Sequence, residues 1–177
     1  MKPRTTSSLK DDVNRLAQLA FVIKELGIKA SEILSDGDDD LEARVRIQKV
    51  VYFLKRLGFD LGYEFDLYYH GPYSSVLSDD YYLLAERGDG EINGLATLCE
   101  RSKVCSDETG KLINELNKWD MTALEVAATL ADLLESSDFK GDLNGAIEHV
   151  KFLKPWIEDG DIEDSLRLLR SLGILKA

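Results

Sequence analysis

The chain has 177 residues, of which 44% are hydrophobic and 31% are charged, so we expect one folded domain with a sizeable core and not a disordered chain. Its 22 basic and 33 acidic residues give a formal charge of −11, which repels nucleic acid and anionic lipid over most of the surface. No apolar run approaches the roughly 18 residues of a membrane span, and the polar start of the chain is unlike a signal peptide. The expected location is cytoplasmic, with no membrane partner.

Two amphipathic helices are predicted in the first third of the chain. Apolar residues recur at helical spacing over residues 9–26 and again over residues 41–57. In the second helix Lys49 and Arg56 are predicted to project away from the apolar stripe. The acidic loop between the helices, residues 36–40, lacks the ligand frame of a calcium-binding loop, so we predict no metal site there.

An aromatic strand and a further helix are predicted next. Residues 63–69 alternate in polarity and are rich in aromatic side chains, which is typical of a strand with one buried face. Gly71-Pro72 is predicted to break this strand. Ser74 or Ser75 then caps a helix that continues to about residue 87.

The remainder of the chain is predicted to be mostly helical. Residues 91–105 weakly indicate a short strand or hairpin, and the acidic run at residues 158–164 is interpreted as stabilising a helix start. The order of elements predicts a single, mainly α domain with a small β element, in which a winged-helix-like core spans residues 9–106 and a C-terminal helical extension spans residues 107–177. The predicted helices of that extension cover residues 109–117, 122–134, 143–153 and 162–172.

Residues suited to catalysis or metal binding are few. Cys99 and Cys105 are too few for a disulfide framework and lack the second ligand pair of a zinc site, so we interpret them as two incidental thiols. His70 stands at the end of the predicted strand, where an acid or base is often displayed, but the sequence shows no partner for it. Ser74 is better explained as a helix cap than as a nucleophile. The sequence therefore predicts no catalytic residue, no metal and no cofactor.

The basic helix is the first candidate for partner binding. Residues 43–59 contain no acid, and the helix over residues 44–56 suits either nucleic-acid phosphates or an acidic protein partner. The alternative is internal: its cations pair with carboxylates of the same chain, and Gln48 and Lys49 support the Gly-Pro turn. The basic residues concerned are Arg44, Arg46, Lys49, Lys55 and Arg56.

A cluster of tyrosines around the turn is the second candidate. Strand alternation places Tyr68 and Tyr69 on opposite faces, so at least one of them is expected to be exposed. Rings with polar tips serve either a partner interface or the core, and we weigh the two uses equally. Taken together, the two candidates give a predicted set of partner-binding residues: Arg46, Lys49, Arg56, Tyr69, His70 and Tyr73.

The same part of the chain resembles a known family. Residues 46–55, Arg-Ile-Gln-Lys-Val-Val-Tyr-Phe-Leu-Lys, are similar to the K/R-L-Q-K-L-x-Y-x-L helix of the YwgA-like proteins and, more distantly, of the Panacea (SocA-type) antitoxin domain. The likeness continues into that family's F-x-x-Y-x-Y-G-P-Y-S-x-x-L-x-x-D segment. The similar positions there are Phe65, Tyr68, Tyr69, Gly71, Pro72, Tyr73, Ser74, Leu77, Asp80 and Leu84.

The resemblance implies a function in protein binding. Panacea-type domains act as antitoxins, and a SocA-type member is similar to a protease adaptor that delivers a bound toxin. Our leading hypothesis is thus a non-enzymatic, antitoxin-like or adaptor-like interaction module. The alternative is a winged-helix regulator that binds nucleic acid through residues 44–56, against which the charge of −11 counts. A small enzyme that uses His70 or Ser74 ranks last.

Overall fold

The computed structural model describes residues 6–37, 41–99 and 102–176. Within these residues the chain is mainly helical and has one two-stranded antiparallel sheet, so the predicted mainly α fold with a small β element is confirmed. In chain order the elements are α1 (Thr6–Leu26), α2 (Ala30–Leu34), α3 (Leu41–Arg56), β1 (Asp66–Tyr68), β2 (Gly71–Tyr73), α4 (Ser75–Arg87), α5 (Asp89–Leu98), α6 (Asp107–Asn117), α7 (Met121–Glu135), α8 (Leu143–Leu153) and α9 (Asp159–Ser171).

Helix α7 connects the two predicted parts of the chain. Its sequence is apolar around most of its circumference, as expected of a helix that is covered on several sides. It packs against α3 and β2 on one side and against α8 and α9 on the other. The hydrophobic core consequently runs without a break from Leu19 in α1 to Leu169 in α9.

Side-chain caps start several helices, in agreement with the sequence. The Ser74 hydroxyl accepts a hydrogen bond from the Leu77 amide at 3.2 Å, so Ser74 caps α4. At the start of α9 the Glu158 amide donates to Asp161 Oδ2 at 2.9 Å, as part of a capping box. The predicted role of the acidic run in starting a helix is confirmed. Asp38–Asp40 of the other acidic segment lie outside the described residues.

The hairpin differs from its prediction in two respects. Gly71 and Pro72, which were predicted to break the strand, belong to β2, and Asp66, Leu67 and Tyr68 of β1 pair with Tyr73, Pro72 and Gly71. The predicted strand over residues 63–69 is reduced to three residues, all of which are exposed. It is β2 that lies against the protein, because α3 and α7 cover Gly71 and Pro72.

Two further predictions about the region before α6 were wrong. Residues 91–98 belong to helix α5, which buries Ile92 and Ala96 one turn apart, and the predicted strand or hairpin is absent from the described part of residues 91–105. Cys99 and Cys105 are joined by a disulfide. The loop between α5 and α6 brings their Cα atoms to 5.7 Å, a normal disulfide separation that a count of cysteines does not reveal.

No helix in the described part of the chain combines the length and the apolar character needed to cross a membrane. The cytoplasmic location stays a prediction, and the disulfide does not favour it, because such bonds persist mainly in oxidising compartments.

Candidate functional site

Helix α3 fixes the β-hairpin from one side. The Gln48 amide group donates to the Ser74 carbonyl and accepts from the Ser74 amide, both at 2.9 Å. The next residue, Lys49, donates from Nζ to the Pro72 carbonyl at 2.7 Å. Both side chains are buried, so their bonds are shielded from competing water. The internal alternative for Gln48 and Lys49, support of the Gly-Pro turn, is confirmed.

Helix α7 fixes the hairpin from the other side by close contact. Gly71 has φ +88°, in the region that favours glycine. A Cβ atom at this position would lie 2.5 Å from Thr129 Oγ1 and 3.4 Å from the Glu125 carbonyl oxygen. Only a glycine therefore allows the main chain to approach α7 this closely.

A buried salt bridge completes the support of the hairpin. Lys154, which follows α8, donates to Glu125 and also to the Tyr69 carbonyl, the latter at 2.6 Å. The second carboxylate oxygen of Glu125 lies 3.3 Å from His70 Nδ1. We call Gln48, Lys49, Glu125 and Lys154 the hairpin clamp, because each contacts the hairpin, its turn or Ser74, the residue that follows β2.

The clamp contains more positive than negative charge. Lys154 has Glu125 as its acidic partner, whereas the hydrogen bond that Lys49 makes among the described residues is to a neutral carbonyl. Lys49 is only 1% exposed. Burial lowers the pKa of Lys49 to about 7; Glu125 opposes this shift and Lys154 adds to it. Near neutral pH, Lys49 thus exchanges readily between its charged and neutral forms.

The clamp holds the hairpin so that its aromatic side chains face outward. Tyr69 is 67% exposed, and its ring centroid lies 5.7 Å from that of Trp156, which is 56% exposed. Lys154 Nζ lies beneath both rings, at 5.5 and 5.8 Å from their centroids. Tyr68 and, at the end of α8, Phe152 are also exposed. We call Tyr68, Tyr69, Phe152 and Trp156 the aromatic surface.

No protein-family model, curated protein or solved structure matches this chain.

The basic residues of α3 are engaged inside the protein. Arg46 donates to the Trp119 carbonyl at 2.8 Å and pairs with Glu42. Arg56 donates to the Ala131 carbonyl at 3.1 Å and pairs with Glu135. Lys49, which was predicted to project away from the apolar stripe, is nevertheless buried, because the hairpin and α7 cover a second side of α3. These three residues connect α3 to its neighbours.

Asp80 and Ser74, which follow β2, also have structural roles. Asp80 accepts hydrogen bonds from the Tyr63 hydroxyl at 2.7 Å and from Arg15 Nε at 2.9 Å, which ties α4 to α1. Burial and the bond to Asp80 raise the pKa of Tyr63. Ser74 is buried as a helix cap. Of the predicted partner-binding residues, Tyr69 and His70 lie at the hairpin turn. Tyr73 is half-buried at the far end of β2, with its ring centroid 5.6 Å from that of Tyr68.

Sequence reasoning missed the partners that the C-terminal helices supply. Glu125 and Thr129 are polar residues one turn apart in the otherwise apolar stretch 123–131 of α7, and that isolation was a signal of a buried polar contact. Lys154 and Trp156 flank Pro155, where the end of α8 turns toward the hairpin. Among the described residues no group of three or more potential metal ligands comes together.

Proposed function

We propose that this chain is a protein-interaction module that binds its partner through the aromatic surface. The proposal rests on exposed rings above a restrained main chain. Tyr69 and Trp156 are more than half exposed. Lys154 nevertheless donates to the Tyr69 carbonyl and packs beneath both rings. Tyrosine and tryptophan are the residues most often found at the energetic centre of protein interfaces.

The restrained main chain at Tyr69 favours a role of the exposed rings in binding. A side chain that is held before the encounter loses less conformational entropy when the partner arrives. The Tyr69 main chain is restrained by Lys154, and the following residues are restrained by Lys49 and Gly71. The charge of −11 favours a partner whose contact surface is rimmed by basic residues.

The family resemblance supports the same class of function. In that interpretation the partner is a toxin, which the chain either neutralises or delivers to a protease. The partner's fate separates the two roles: an antitoxin leaves the amount of toxin unchanged, and an adaptor shortens its half-life.

Nucleic-acid binding through α3 is the less supported candidate. It needs cations that reach phosphate groups, and Arg44, Arg46 and Arg56 each donate to a main-chain carbonyl inside the protein. Freeing such a cation would leave a part-buried carbonyl without its donor.

Photocrosslinking in the native cell tests the proposal. A benzophenone amino acid replaces Trp156 in one variant and Leu98 in a matched control; Leu98 is also well exposed, but it lies on α5, which packs against α1 and α4. We expect a protein adduct of defined mass from position 156 and none of that mass from position 98. Adding Tyr69→Ser to the first variant should remove the adduct.

The adduct must depend on the aromatic surface and not on exposure alone. Equal adducts from both positions, or an adduct that survives Tyr69→Ser, would contradict the proposal. Phe152→Ser supplies a second variant: Phe152 is 79% exposed, so its replacement should leave the melting temperature unchanged while it weakens the purified complex by about tenfold or more.

A further inference from the structure

A small cavity lies on the inner side of the hairpin, between α3 and α4. Its volume is about 200 Å³. Its lining includes Lys49, His70, Tyr73, Tyr81 and Tyr82. Arg44 contributes from the first half of α3. None of the described residues that line the cavity is acidic, although the whole chain has a charge of −11.

Charge balance explains what such a cavity would accept. The clamp brings Lys49 and Lys154 together with Glu125 alone, and Glu125 is paired with Lys154. Lys49 therefore forms no salt bridge among the described residues. Glu125 attracts Lys49 without pairing with it, and a buried cation without a paired anion is unfavourable. An ammonium group has three donors, and the Pro72 carbonyl uses one of those of Lys49. An anion in the cavity would supply the missing charge.

Aromatic rings define the rest of the ligand. Tyr81 and Tyr82 lie with ring centroids 5.1 Å apart, and both line the cavity. Flat apolar groups pack favourably against such rings. A volume of about 200 Å³ is below the roughly 300–1,000 Å³ of most sites for drug-sized molecules, which limits the ligand to about one ring with a short substituent.

We propose that this cavity binds a small aromatic monocarboxylate, with its carboxylate toward Lys49 and its ring against Tyr81 and Tyr82. Arg44 already donates to the Ile33 and Ser35 carbonyls, which leaves Lys49 as the cation for the ligand and favours a single negative charge over a dianionic phosphate ester. The inference does not depend on the proposed protein partner, because the cavity lies behind β2 and the aromatic surface lies at the tip of the hairpin and the end of α8.

Binding of three matched probes to the full-length protein tests the inference. Benzoate, benzamide and benzylamine share a ring and differ in charge, and NMR titration gives each dissociation constant and the location of binding. We expect benzoate to bind about tenfold more tightly than benzamide, as one charge-assisted hydrogen bond implies, and benzylamine to bind least. The shifted signals should include those of Val45, Tyr81 and Tyr82. Equal affinity for the three probes, no binding, or shifts elsewhere would overturn the inference.

Two lysine variants locate the charge. Lys49→Met should reduce the preference for benzoate over benzamide to less than about threefold, because the charge-assisted bond is gone. Lys55→Met is the matched control: Lys55 lies on the same helix and also donates to a main-chain carbonyl, that of Tyr63, but it does not line the cavity. A preference that Lys49→Met leaves intact, or that Lys55→Met removes, would contradict the assignment.

A third variant, Tyr82→Leu, tests the inference even if Lys49→Met does not fold. Tyr82 is partly exposed, so Tyr82→Leu should fold normally and weaken benzoate and benzamide by the same factor, leaving their ratio unchanged. Unchanged affinity for both probes in Tyr82→Leu would show that the ring does not bind where we place it.

Discussion

The hairpin clamp and the contact between α1 and α5 both contain buried residues, but they depend on opposite kinds of interaction. Helix α5 buries Ile92 and Ala96 against its neighbours and relies on apolar packing. The hairpin and the residue after it are held by hydrogen bonds from Gln48, Lys49 and Lys154. Apolar packing is graded and tolerates small losses, whereas a buried polar group that loses its partner keeps its full desolvation cost. Removal of one member of the Lys154–Glu125 pair should therefore be tolerated much less well than an apolar truncation.

The most damaging change should be Lys154→Met. It leaves the Glu125 carboxylate buried without its cation, and removing one partner of a buried ion pair typically costs about 3–5 kcal/mol. The matched apolar change is Ile92→Val, which should cost about 1 kcal/mol. Urea denaturation of both variants measures the free energies of unfolding. Similar decreases in the free energy of unfolding for Lys154→Met and Ile92→Val would contradict the difference that we expect between polar and apolar support.

Gly71→Ala should be nearly as damaging, at about 3 kcal/mol. The new methyl group would meet Thr129 Oγ1, and the main chain would adopt a positive φ that alanine disfavours. Gly88→Ala is the control, because Gly88 has φ +94° but no atom within 4 Å of the position of an added Cβ. It should cost only about 1 kcal/mol, the effect of strain alone.

The difference in free energy of unfolding between Gly71→Ala and Gly88→Ala measures the cost of a methyl group where the hairpin approaches α7 closely. A third variant, Gly71→Ala with Thr129→Ser, retains the hydroxyl contact and should not recover the lost stability. Equal melting temperatures of Gly71→Ala and Gly88→Ala would mean that the hairpin can move away from α7 at little cost, which would contradict the rigid support on which the proposed function depends.

The disulfide at the end of α5 should have a smaller effect. Cys99 and Cys105 are six residues apart, and closing so short a loop stabilises a protein by about 2 kcal/mol in the chain-entropy description. Cys99→Ser with Cys105→Ser should lower the melting temperature by about 4–8 °C. Adding a reductant to the wild type should reproduce this decrease, while the same reductant should not affect the double variant. If the reductant also lowered the melting temperature of the double variant, its effect on the wild type could not be assigned to the disulfide.

Sequence reasoning succeeded where a local pattern decides the structure. The helical periodicity predicted most helices. A cap at Ser74 or Ser75 was predicted from the position after Gly71-Pro72, and the cap is Ser74. The exposure of Tyr69 agrees with the alternation argument, although the residue lies in the turn and not in a strand. Such features depend on neighbouring residues alone.

The errors arose where distant segments meet. Lys49 was predicted to project away from the apolar stripe of α3, and nothing in the sequence of α3 shows that β2 and α7 cover and bury this second side. The contribution of Lys154 to the turn at Tyr69 joins residues 85 positions apart. Cys99 and Cys105 are close in sequence, but their pairing depends on how the loop between α5 and α6 turns.

Lys49→Met should have the smallest effect at neutral pH and the most informative dependence on pH. It removes the bond to the Pro72 carbonyl, which costs about 1 kcal/mol, but it also removes a buried charge. In the folded protein the pKa of Lys49 is lowered to about 7, whereas in the unfolded chain it is about 10.4. Between these values the unfolded state binds more protons, so the Lys49 contribution to stability rises with pH.

Urea denaturation at several pH values from 6 to 9 measures this contribution. The free energy of unfolding of the wild type, less that of Lys49→Met, should increase by about 1 kcal/mol for each pH unit above 7. Glu125, Lys154 and His70 lie near Lys49 and are present in both proteins, so their contributions largely cancel in this difference. Parallel pH profiles for the two proteins would mean that Lys49 keeps its charge in the fold, and the clamp would then hold two full positive charges against one negative charge.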